Sequence, residues 1–390
     1  MERIVVAGAG LAGLRAAEEL REKGFEGELT IVGAEEHRPY NRPPLSKQIL
    51  AGEMEPGKNE LKADELEVTW RLGEPATGLD RSERAVELGA ETLAFDGLVI
   101  ATGRRAREWP DPPELEGFHT LRTLDDCVRL RDAVEPGPRV AIVGAGFIGC
   151  EVAATLRKRG LEQVTLIDVA PHPMPALGPE AGERAARLHR TQGVVLHLEA
   201  EVASFAGDGR VEAVCLADGT RIDADLVLFA LGAIPNSEWL EGSGLELHQG
   251  AVLCDAYCFA VGTDDVVAAG DIAAWPHPRA EGTMWIEHWS NAAEMARSAA
   301  ANLLANREDR EPYVPVPTFW SDQYETSIKS VGLFDLASSV SVVEEDSDEG
   351  RLILEGRTDD RLMGAVVFNT NKSFIGYKRE LMKSFAGQED

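Results

Sequence analysis

The sequence predicts an α/β fold in which two parallel-sheet domains of one type are followed by a smaller α+β domain. The first observation is that residues 4–13, IVVAGAGLAG, have the pattern of a buried strand, a glycine-rich turn and the start of a helix. The second is that this pattern returns as VAIVGAGFIG in residues 140–149. The third is that the residues after a proline-rich segment at 312–317 read as several strands and a closing helix.

The first glycine turn carries Gly8, Gly10 and Gly13 in the spacing G-x-G-x-x-G. Gly8 permits a tight turn, Gly10 lets a pyrophosphate approach the backbone, and Gly13 lets the helix pack closely on the strand. The helix N-terminus adds free N–H groups and a partial positive charge for the phosphates. Glu35 follows the next predicted strand, near where the acidic ligand of a ribose belongs. These features predict a Rossmann-like dinucleotide-binding domain.

The second glycine turn repeats the spacing with Gly144, Gly146 and Gly149, and Asp168 follows its next strand. A carboxylate at this position accepts hydrogen bonds from a free ribose 2′-hydroxyl and repels a 2′-phosphate. Residues 169–173 contain no arginine that could bind such a phosphate. The second domain is therefore predicted to prefer NADH over NADPH.

Two dinucleotide sites in one chain indicate that one nucleotide reduces the other. A nicotinamide carries a hydride and a flavin accepts it. Gly270 and Asp271 follow the buried strand pattern VVAA of residues 266–269. Because a carboxylate at the end of this strand can hydrogen-bond a ribityl hydroxyl, the first site is predicted to hold FAD.

The composition narrows the class of protein. Among the 390 residues, 39 are Lys or Arg and 67 are Asp or Glu, which gives a net charge of −28 and argues against nucleic acid and anionic membranes as partners. No apolar run reaches the length of a membrane span. The five cysteines and the short distance from Met1 to the first core strand favour a cytoplasmic protein without a signal peptide. No cluster has the spacing of metal ligands, so no metal is expected.

Nine stretches carry a family resemblance: VVAGAGLAG (5–13), PYNRPPLSK (39–47), LVIATG (98–103), LRTLDD (121–126), GAGFIGCEVAATLRKRG (144–160), ALGAIPN (230–236), AAGDIA (268–273), IEHWSNA (286–292) and FWSDQY (319–324). With them, essentially the whole chain resembles the NADH-dependent ferredoxin reductases of oxygenase systems, the group of putidaredoxin reductase and the biphenyl-dioxygenase reductases. The chain is similar also to flavoproteins of the apoptosis-inducing-factor type.

The resemblance implies a glutathione-reductase-like fold with three domains. These are an FAD-binding domain (1–107 and 234–312), an NAD-binding domain (108–233) and a C-terminal domain that covers the flavin (313–390).

The resemblance also implies site residues. The FAD contacts are Gly8, Gly10, Ala12, Gly13, Glu35, Arg42, Lys47, Arg122, Gly270, Asp271, Trp289 and Trp320. The NAD contacts are Gly144, Gly146, Ile148, Gly149, Glu151, Asp168 and Gly232. Lys47 and Glu151 are the candidate catalytic residues: a cation beside the isoalloxazine stabilises negative charge on the reduced ring, and Glu151 is expected to pair with Lys47 near the nicotinamide.

One departure from the family pattern lies in the predicted flavin helix. Met295 and Ala296 stand after Glu294, where family members commonly carry Gln followed by Gly or Ala. The amide side chain is absent here, which removes one expected packing or polar contact near the flavin.

The function implied is hydride transfer from NADH to FAD, followed by transfer of electrons to a ferredoxin that serves a monooxygenase or dioxygenase. Nothing in the sequence demands more than a monomer. Because ferredoxins are acidic, a locally basic docking face is expected in spite of the net charge. Two clusters are candidates for this face: Arg104, Arg105 and Arg107, or Lys372, Lys378, Arg379 and Lys383.

Several alternatives remain open from the sequence. A disulfide or peroxide reductase would need a cysteine beside the flavin, but residues 1–126 contain none. Cys254 and Cys258 precede the strand of residues 266–269, and packing explains them better. A redox-gated interaction protein of the apoptosis-inducing-factor type and a rubredoxin reductase remain alternatives, and a flavin monooxygenase is a further option for which no motif is found.

Overall fold

The first domain is built on a five-stranded parallel sheet. The structure, a computed structural model, describes residues 1–63, 65–135, 137–346 and 348–385. The strands lie in the order Val266–Ala268, Gly97–Ile100, Arg3–Ala7, Glu28–Gly33 and Thr69–Leu72. Helices Leu11–Glu22 and Trp289–Leu304 pack against each other, and the segment Pro43–Ala51 forms a 3₁₀ turn (Pro43–Ser46) and a short helix (Gln48–Ala51). An antiparallel meander of Gly78–Asp80, Ala85–Leu88 and Glu91–Ala94 precedes strand Gly97–Ile100.

The second domain repeats this architecture. Its parallel sheet has the order Val195–His197, Val164–Ile167, Val140–Val143, Leu226–Phe229 and Phe118–Thr120. Its helices are Leu124–Ala133, Phe147–Lys158 and Gly178–Thr191, with a 3₁₀ turn at Pro175–Leu177. Its own antiparallel meander, Val202–Gly207, Val211–Leu216 and Arg221–Asp223, again precedes the strand that follows. The predicted duplication of a parallel-sheet domain is confirmed.

The two crossings between these domains lie side by side. Arg104–Ala106 pairs in antiparallel fashion with Ala233–Pro235, so the chain leaves and re-enters the first domain through one short ribbon. After the second crossing come a small four-stranded sheet and two 3₁₀ turns. The strands are Leu247–His248, Ala251–Leu253, Ala273–Pro276 and Thr283–Met284, and the turns are Glu238–Leu240 and Gly270–Ile272. The domain boundaries at 107/108, 233/234 and 312/313 remain our proposal, and the ribbon supports the first two.

The C-terminal domain is the predicted α+β unit. Its antiparallel sheet has the order Thr318–Gln323, Thr326–Gly332, Arg361–Phe368, Arg351–Thr358 and Ser339–Asp346, with 3₁₀ turns at Arg307–Asp309 and Phe334–Leu336 and the closing helix Asn371–Phe385. The strand Thr318–Gln323 was not among the predicted strands. Its polar residues Ser321 and Gln323 are fully buried while Asp322 between them is exposed, so the usual hydrophobic alternation is absent from its sequence.

One hydrophobic cluster joins all three parts of the chain. It combines Tyr40, Leu45, Ile49 and Leu50 with Leu130, Val152 and Leu156 of the second domain and with Ile328, Leu354 and Phe368 of the C-terminal domain. The five cysteines are free; Cys127, Cys150, Cys254 and Cys258 are buried and Cys215 is half-buried, which agrees with the predicted packing roles. Among the described residues, no helix is both long and apolar enough to cross a bilayer.

Candidate active site at the two glycine turns

The first glycine turn has the geometry that its spacing predicts. Gly8 has a φ of +127°, and a Cβ on it would lie 2.1 Å from the carbonyl oxygen of Ala101. A Cβ on Gly13 would lie 1.8 Å from the carbonyl oxygen of Gly8, so only glycine lets the helix approach the turn. By contrast, a Cβ on Gly10 would meet no atom within 4 Å. Gly10 therefore borders open space beside the N-terminus of helix Leu11–Glu22, where a phosphate can approach.

The second turn is built in the same way. Gly144 has a φ of +108°, a Cβ on Gly149 would lie 1.9 Å from the Gly144 carbonyl oxygen, and a Cβ on Gly146 would meet nothing within 4 Å. Ile148, in the first turn of helix Phe147–Lys158, is 43% exposed. The Asp168 carboxylate accepts a hydrogen bond at 2.5 Å from the backbone N–H of Ala145, which places it at this turn as predicted.

Glu35, after the second strand of the first sheet, is held by two side chains of the segment that follows it. Tyr40 donates its hydroxyl to one carboxylate oxygen at 2.5 Å, and Arg42 donates to the other at 2.7 Å. Arg42 also donates to the backbone carbonyl of Arg122 at 2.5 Å. Burial opposes the charge on Arg42, but Tyr40 and Glu35 outweigh it and raise the pKa of the guanidinium. The structure thus brings Glu35, Arg42 and Arg122 together.

Asp271 lies at the carboxyl end of the first sheet, next to the first glycine turn. A Cβ on Gly270 would lie 3.1 Å from the Cβ of Ala12, so the Gly270–Ile272 turn packs directly on helix Leu11–Glu22. The Asp271 carboxylate accepts a hydrogen bond at 2.7 Å from Arg122. The sequence predicts both Arg122 and Asp271 as FAD contacts, but it does not predict the ion pair between them.

Arg104 belongs to this cluster and not to a docking face. Its side chain is 7% exposed, donates to the backbone carbonyl of Asp271 at 2.8 Å and forms an ion pair at 3.0 Å with Glu287. It lies 5.7 Å from the ring of Trp285. Burial raises the pKa of Glu287, although the charge of Arg104 opposes that effect. The expectation that Arg104 contributes to an exposed basic patch is therefore wrong, because its buried guanidinium is held by the Glu287 carboxylate and the Asp271 backbone carbonyl.

The Lys47–Glu151 pair joins the first and second domains. Lys47 donates to one Glu151 carboxylate oxygen at 2.5 Å, and Ser46 donates to the same oxygen at 2.6 Å. Ser321 of the C-terminal domain donates to the other oxygen at 2.7 Å. Glu151 is 4% exposed and lies on helix Phe147–Lys158, so a buried carboxylate at the second glycine turn is neutralised from the first domain. The pairing expected from the family resemblance is present, whereas the two serines were not predicted.

The two tryptophans that are predicted to contact FAD lie close together. The Trp289 and Trp320 ring centroids are 6.1 Å apart. Trp289 donates its indole N–H to the side-chain oxygen of Asn41 at 3.0 Å, and Trp320 contacts His288 edge to face at 4.8 Å. His288 also accepts a hydrogen bond from the backbone N–H of Ser290 and so caps helix Trp289–Leu304. Burial lowers the pKa of His288 to about 4, which keeps its ring neutral at neutral pH.

Gly232 occupies the turn after strand Leu226–Phe229, on the edge of the second sheet that carries Gly144. It has a φ of +84°, and its carbonyl accepts a hydrogen bond from the backbone N–H of Arg107. Its position at the crossing ribbon places it near the second glycine turn, which is compatible with its predicted nucleotide contact.

The residues present fit two dinucleotides. Each glycine turn leaves open space at its middle glycine and ends in a helix N-terminus. Each second strand is followed by a carboxylate suited to a ribose, Glu35 in one case and Asp168 in the other. The Lys47–Glu151 pair joins the first domain to the helix that follows the second turn.

Comparison with known proteins identifies the family. Residues 2–296 match the family described as pyridine nucleotide-disulphide oxidoreductase, and residues 318–387 match the domain described as reductase C-terminal. The chain belongs to this oxidoreductase family. The predicted fold class, the oxidoreductase activity and the cofactors FAD and NADH are thereby confirmed.

Relatives with established names cover nearly the whole chain. The ferredoxin–NAD(+) reductase component of the biphenyl dioxygenase system of Paraburkholderia xenovorans is 36% identical over 96% of this chain and 91% of its own length. Rhodocoxin reductase of Rhodococcus erythropolis is 35% identical over 97% and 89%, respectively. The solved covalent complex of putidaredoxin reductase with putidaredoxin superimposes with a TM-score of 0.90 at 31% identity, over 97% of this chain and 92% of that chain. The resemblance predicted from the sequence motifs is confirmed.

Proposed function

We propose that this protein is a ferredoxin reductase in which NADH transfers a hydride to FAD. The reduced FAD then passes electrons one at a time to an iron–sulfur protein of an oxygenase system. The observation that carries the proposal is the buried Lys47–Glu151 pair, which joins the first domain to the helix that follows the second glycine turn. FAD supplies the conversion of a two-electron donor into a source of single electrons. The similarity to reductases of dioxygenase systems supports the class of electron acceptor.

The chain's own residues then take distinct roles. We assign Glu35, Arg42, Arg122 and Asp271 to binding of FAD, and Asp168 to the ribose of NADH. Lys47 supplies a positive charge where the first and second domains meet, and the ion pair with Glu151 holds that charge in place. Trp289 and Trp320 form an aromatic wall between helix Trp289–Leu304 and the C-terminal sheet.

We place the acceptor on the exposed face of the C-terminal helix. This docking face consists of Ile375, Lys378, Arg379, Met382 and Lys383, which line a groove of about 400 Å³. Ile375 is 55% and Met382 54% exposed, so the face combines apolar area with cations in a chain whose net charge is −28. Such a combination suits an acidic protein partner. The other candidate cluster is weakened because Arg104 is buried and Arg105 is paired with Glu238 at 2.6 Å.

The oligomeric state and location also belong to the proposal. We expect a monomer, because nothing in the sequence demands a second copy. A cytoplasmic location is supported by five free cysteines, four of which are buried.

Anaerobic stopped-flow spectroscopy tests the function. The purified protein should be yellow, and mixing with NADH should bleach its flavin absorbance faster than mixing with NADPH. A two-iron ferredoxin added next should recover the absorbance by accepting electrons. Bleaching without onward transfer would instead support an interaction protein of the apoptosis-inducing-factor type, and transfer only to rubredoxin would support a rubredoxin reductase.

A further inference from the structure

A directional chain of hydrogen bonds runs from the C-terminal domain to Glu151. The Tyr324 hydroxyl lies 3.0 Å from Nδ1 of His189, and Nε2 of His189 lies 3.1 Å from Oε1 of Gln323. The Gln323 amide nitrogen donates to the Ser321 hydroxyl at 3.2 Å, and Ser321 donates to Glu151. Three of these residues, Ser321, Gln323 and Tyr324, belong to the motif FWSDQY, in which the family resemblance assigns a site role to Trp320 alone.

The direction of each donor follows from the chemistry of the groups. The Gln323 oxygen can only accept, so His189 donates from Nε2 and its Nδ1 accepts from Tyr324. The Gln323 nitrogen also donates to the sulfur of Met174 at 3.3 Å, which agrees with this orientation of the amide. Every donor in the chain therefore points towards the Glu151 carboxylate, and hydrogen bonds aligned in this way polarise one another in favour of the negative charge.

Burial makes the hydrogen bonds among His189, Gln323, Ser321 and Glu151 necessary. Ser321, Gln323 and His189 are each 0% exposed. Burial lowers the pKa of His189 to about 4, so its ring is neutral at neutral pH and available as a relay of one donor and one acceptor. A buried carboxylate oxygen that loses its donor has no water to replace it.

We propose that Ser321, supported by Gln323, His189 and Tyr324, is a positioning residue for the Lys47–Glu151 pair. Ser46 and Lys47 hold one Glu151 oxygen from the first domain, and the chain from the C-terminal domain holds the other. The carboxylate is thus fixed at both oxygens, and its orientation fixes the ammonium of Lys47. The proposal rests on the function proposed above, because the pair matters where NADH reduces the flavin.

A double-mutant cycle between Ser321→Ala and Glu151→Gln tests the proposal in the FAD-loaded protein. We expect Ser321→Ala to slow the limiting rate of flavin reduction by NADH about tenfold, which is the scale of one lost hydrogen bond to a buried charge, with little change in NADH dissociation. In the Glu151→Gln background the same change should have an effect below about twofold, because the charge that the hydroxyl serves is gone. The two substitutions should also be non-additive in the thermal unfolding midpoint, a readout independent of turnover.

Two further variants separate positioning from packing. Tyr324→Phe removes only the distal hydroxyl and should slow reduction less than Ser321→Ala, again only when Glu151 is present. Ser330→Ala, at a buried serine of the neighbouring strand that takes part in none of the side-chain hydrogen bonds of the described residues, should behave like the unmodified protein. Equal slowing by Ser321→Ala in both Glu151 backgrounds, or no slowing at all, would overturn the proposal. Failure of the unmodified protein to react with NADH would instead refute the proposed function.

Discussion

Two buried histidines make the stability of this protein sensitive to mild acid. Burial lowers the pKa of His189 and of His288 to about 4 in the folded state, whereas histidine in an unfolded chain titrates near about 6.5. The unfolded chain therefore binds protons first as the pH falls. The free energy of unfolding therefore has its full value above pH ~6.5. It falls progressively towards pH ~4, by about 3 kcal/mol for each histidine.

We predict that His288→Asn makes this loss shallower. Asparagine retains a side-chain acceptor that can cap helix Trp289–Leu304 but does not titrate. The free energy of unfolding is measured by urea denaturation at about pH 7 and at about pH 4, a range that spans the unfolded and folded pKa values of His288. Between these two pH values it should fall by about 3 kcal/mol less in the variant than in the unmodified protein. His248→Asn, at a half-buried histidine beside Trp285, controls for the loss of an imidazole as such. An unchanged pH dependence in His288→Asn would contradict the assignment.

At the residue level, the position of a side chain in the fold could be predicted from sequence where it depends on neighbouring residues. Asp168 and Asp271 lie at the ends of strands, and each was placed correctly from its neighbours in the chain. Arg104 and Ser321 were missed, since their partners are more than a hundred positions away and no local pattern encodes such a contact. Lys47 and Glu151 are equally distant, and their pairing was expected only through the family resemblance.

At the level of elements, the two strand–turn–helix units show which glycine the fold requires and which one borders open space. Gly10 and Gly146 precede their helices with φ values of −91° and −70°, which alanine adopts readily, and their missing Cβ atoms border open space. Gly13 and Gly149 instead contact the carbonyl oxygen of the preceding turn. The spacing alone predicted these roles, because each glycine has a separate steric function in the unit.

We predict opposite outcomes for alanine at these positions. Gly10→Ala should fold but bind FAD at least about tenfold more weakly, because the added methyl group occupies the space through which a phosphate approaches the backbone. Gly146→Ala should keep FAD and raise the dissociation constant of NADH by a similar factor. Gly13→Ala and Gly149→Ala are the matched controls and should accumulate as unfolded or aggregated protein. Flavin absorbance, circular dichroism and NADH titration measure these effects, and normal FAD retention by Gly10→Ala would contradict the placement of the cofactor.

The strand Thr318–Gln323 marks the limit of pattern-based prediction at this scale. Its inward positions are occupied by a serine and a glutamine, because they bind a carboxylate and a histidine of another domain. A strand whose inward-facing side chains are polar is indistinguishable from an exposed segment when only its own sequence is considered.

For the whole molecule, a charge of −28 means that an acidic partner is repelled except where cations are concentrated. Arg379 and Lys383 are exposed on the C-terminal helix beside the apolar groove. Reversal of their charge should therefore weaken the encounter with an acidic ferredoxin without affecting the reaction with NADH.

We predict that Arg379→Glu combined with Lys383→Glu raises the KM for ferredoxin about tenfold at low salt, and that the difference shrinks as ionic strength screens the charges. The rate of flavin reduction by NADH should be unchanged. Lys58→Glu combined with Lys62→Glu, at two exposed lysines of the first domain, provides a control with the same change in net charge. The docking face would be misplaced if the control and the double variant raised the KM equally.

The hydrophobic cluster shared by the three parts of the chain makes single domains difficult to exchange between related proteins, both in engineering and in evolution. A chimera that took its C-terminal domain from a relative would pair foreign residues at Ile328 and Phe368 with the native Leu130 and Leu156. Since interiors are packed as tightly as crystals, such a graft would have to carry the complementary helix surfaces with it. Recombination between related reductases is therefore expected to preserve function more often when it replaces a surface loop than when it replaces a domain.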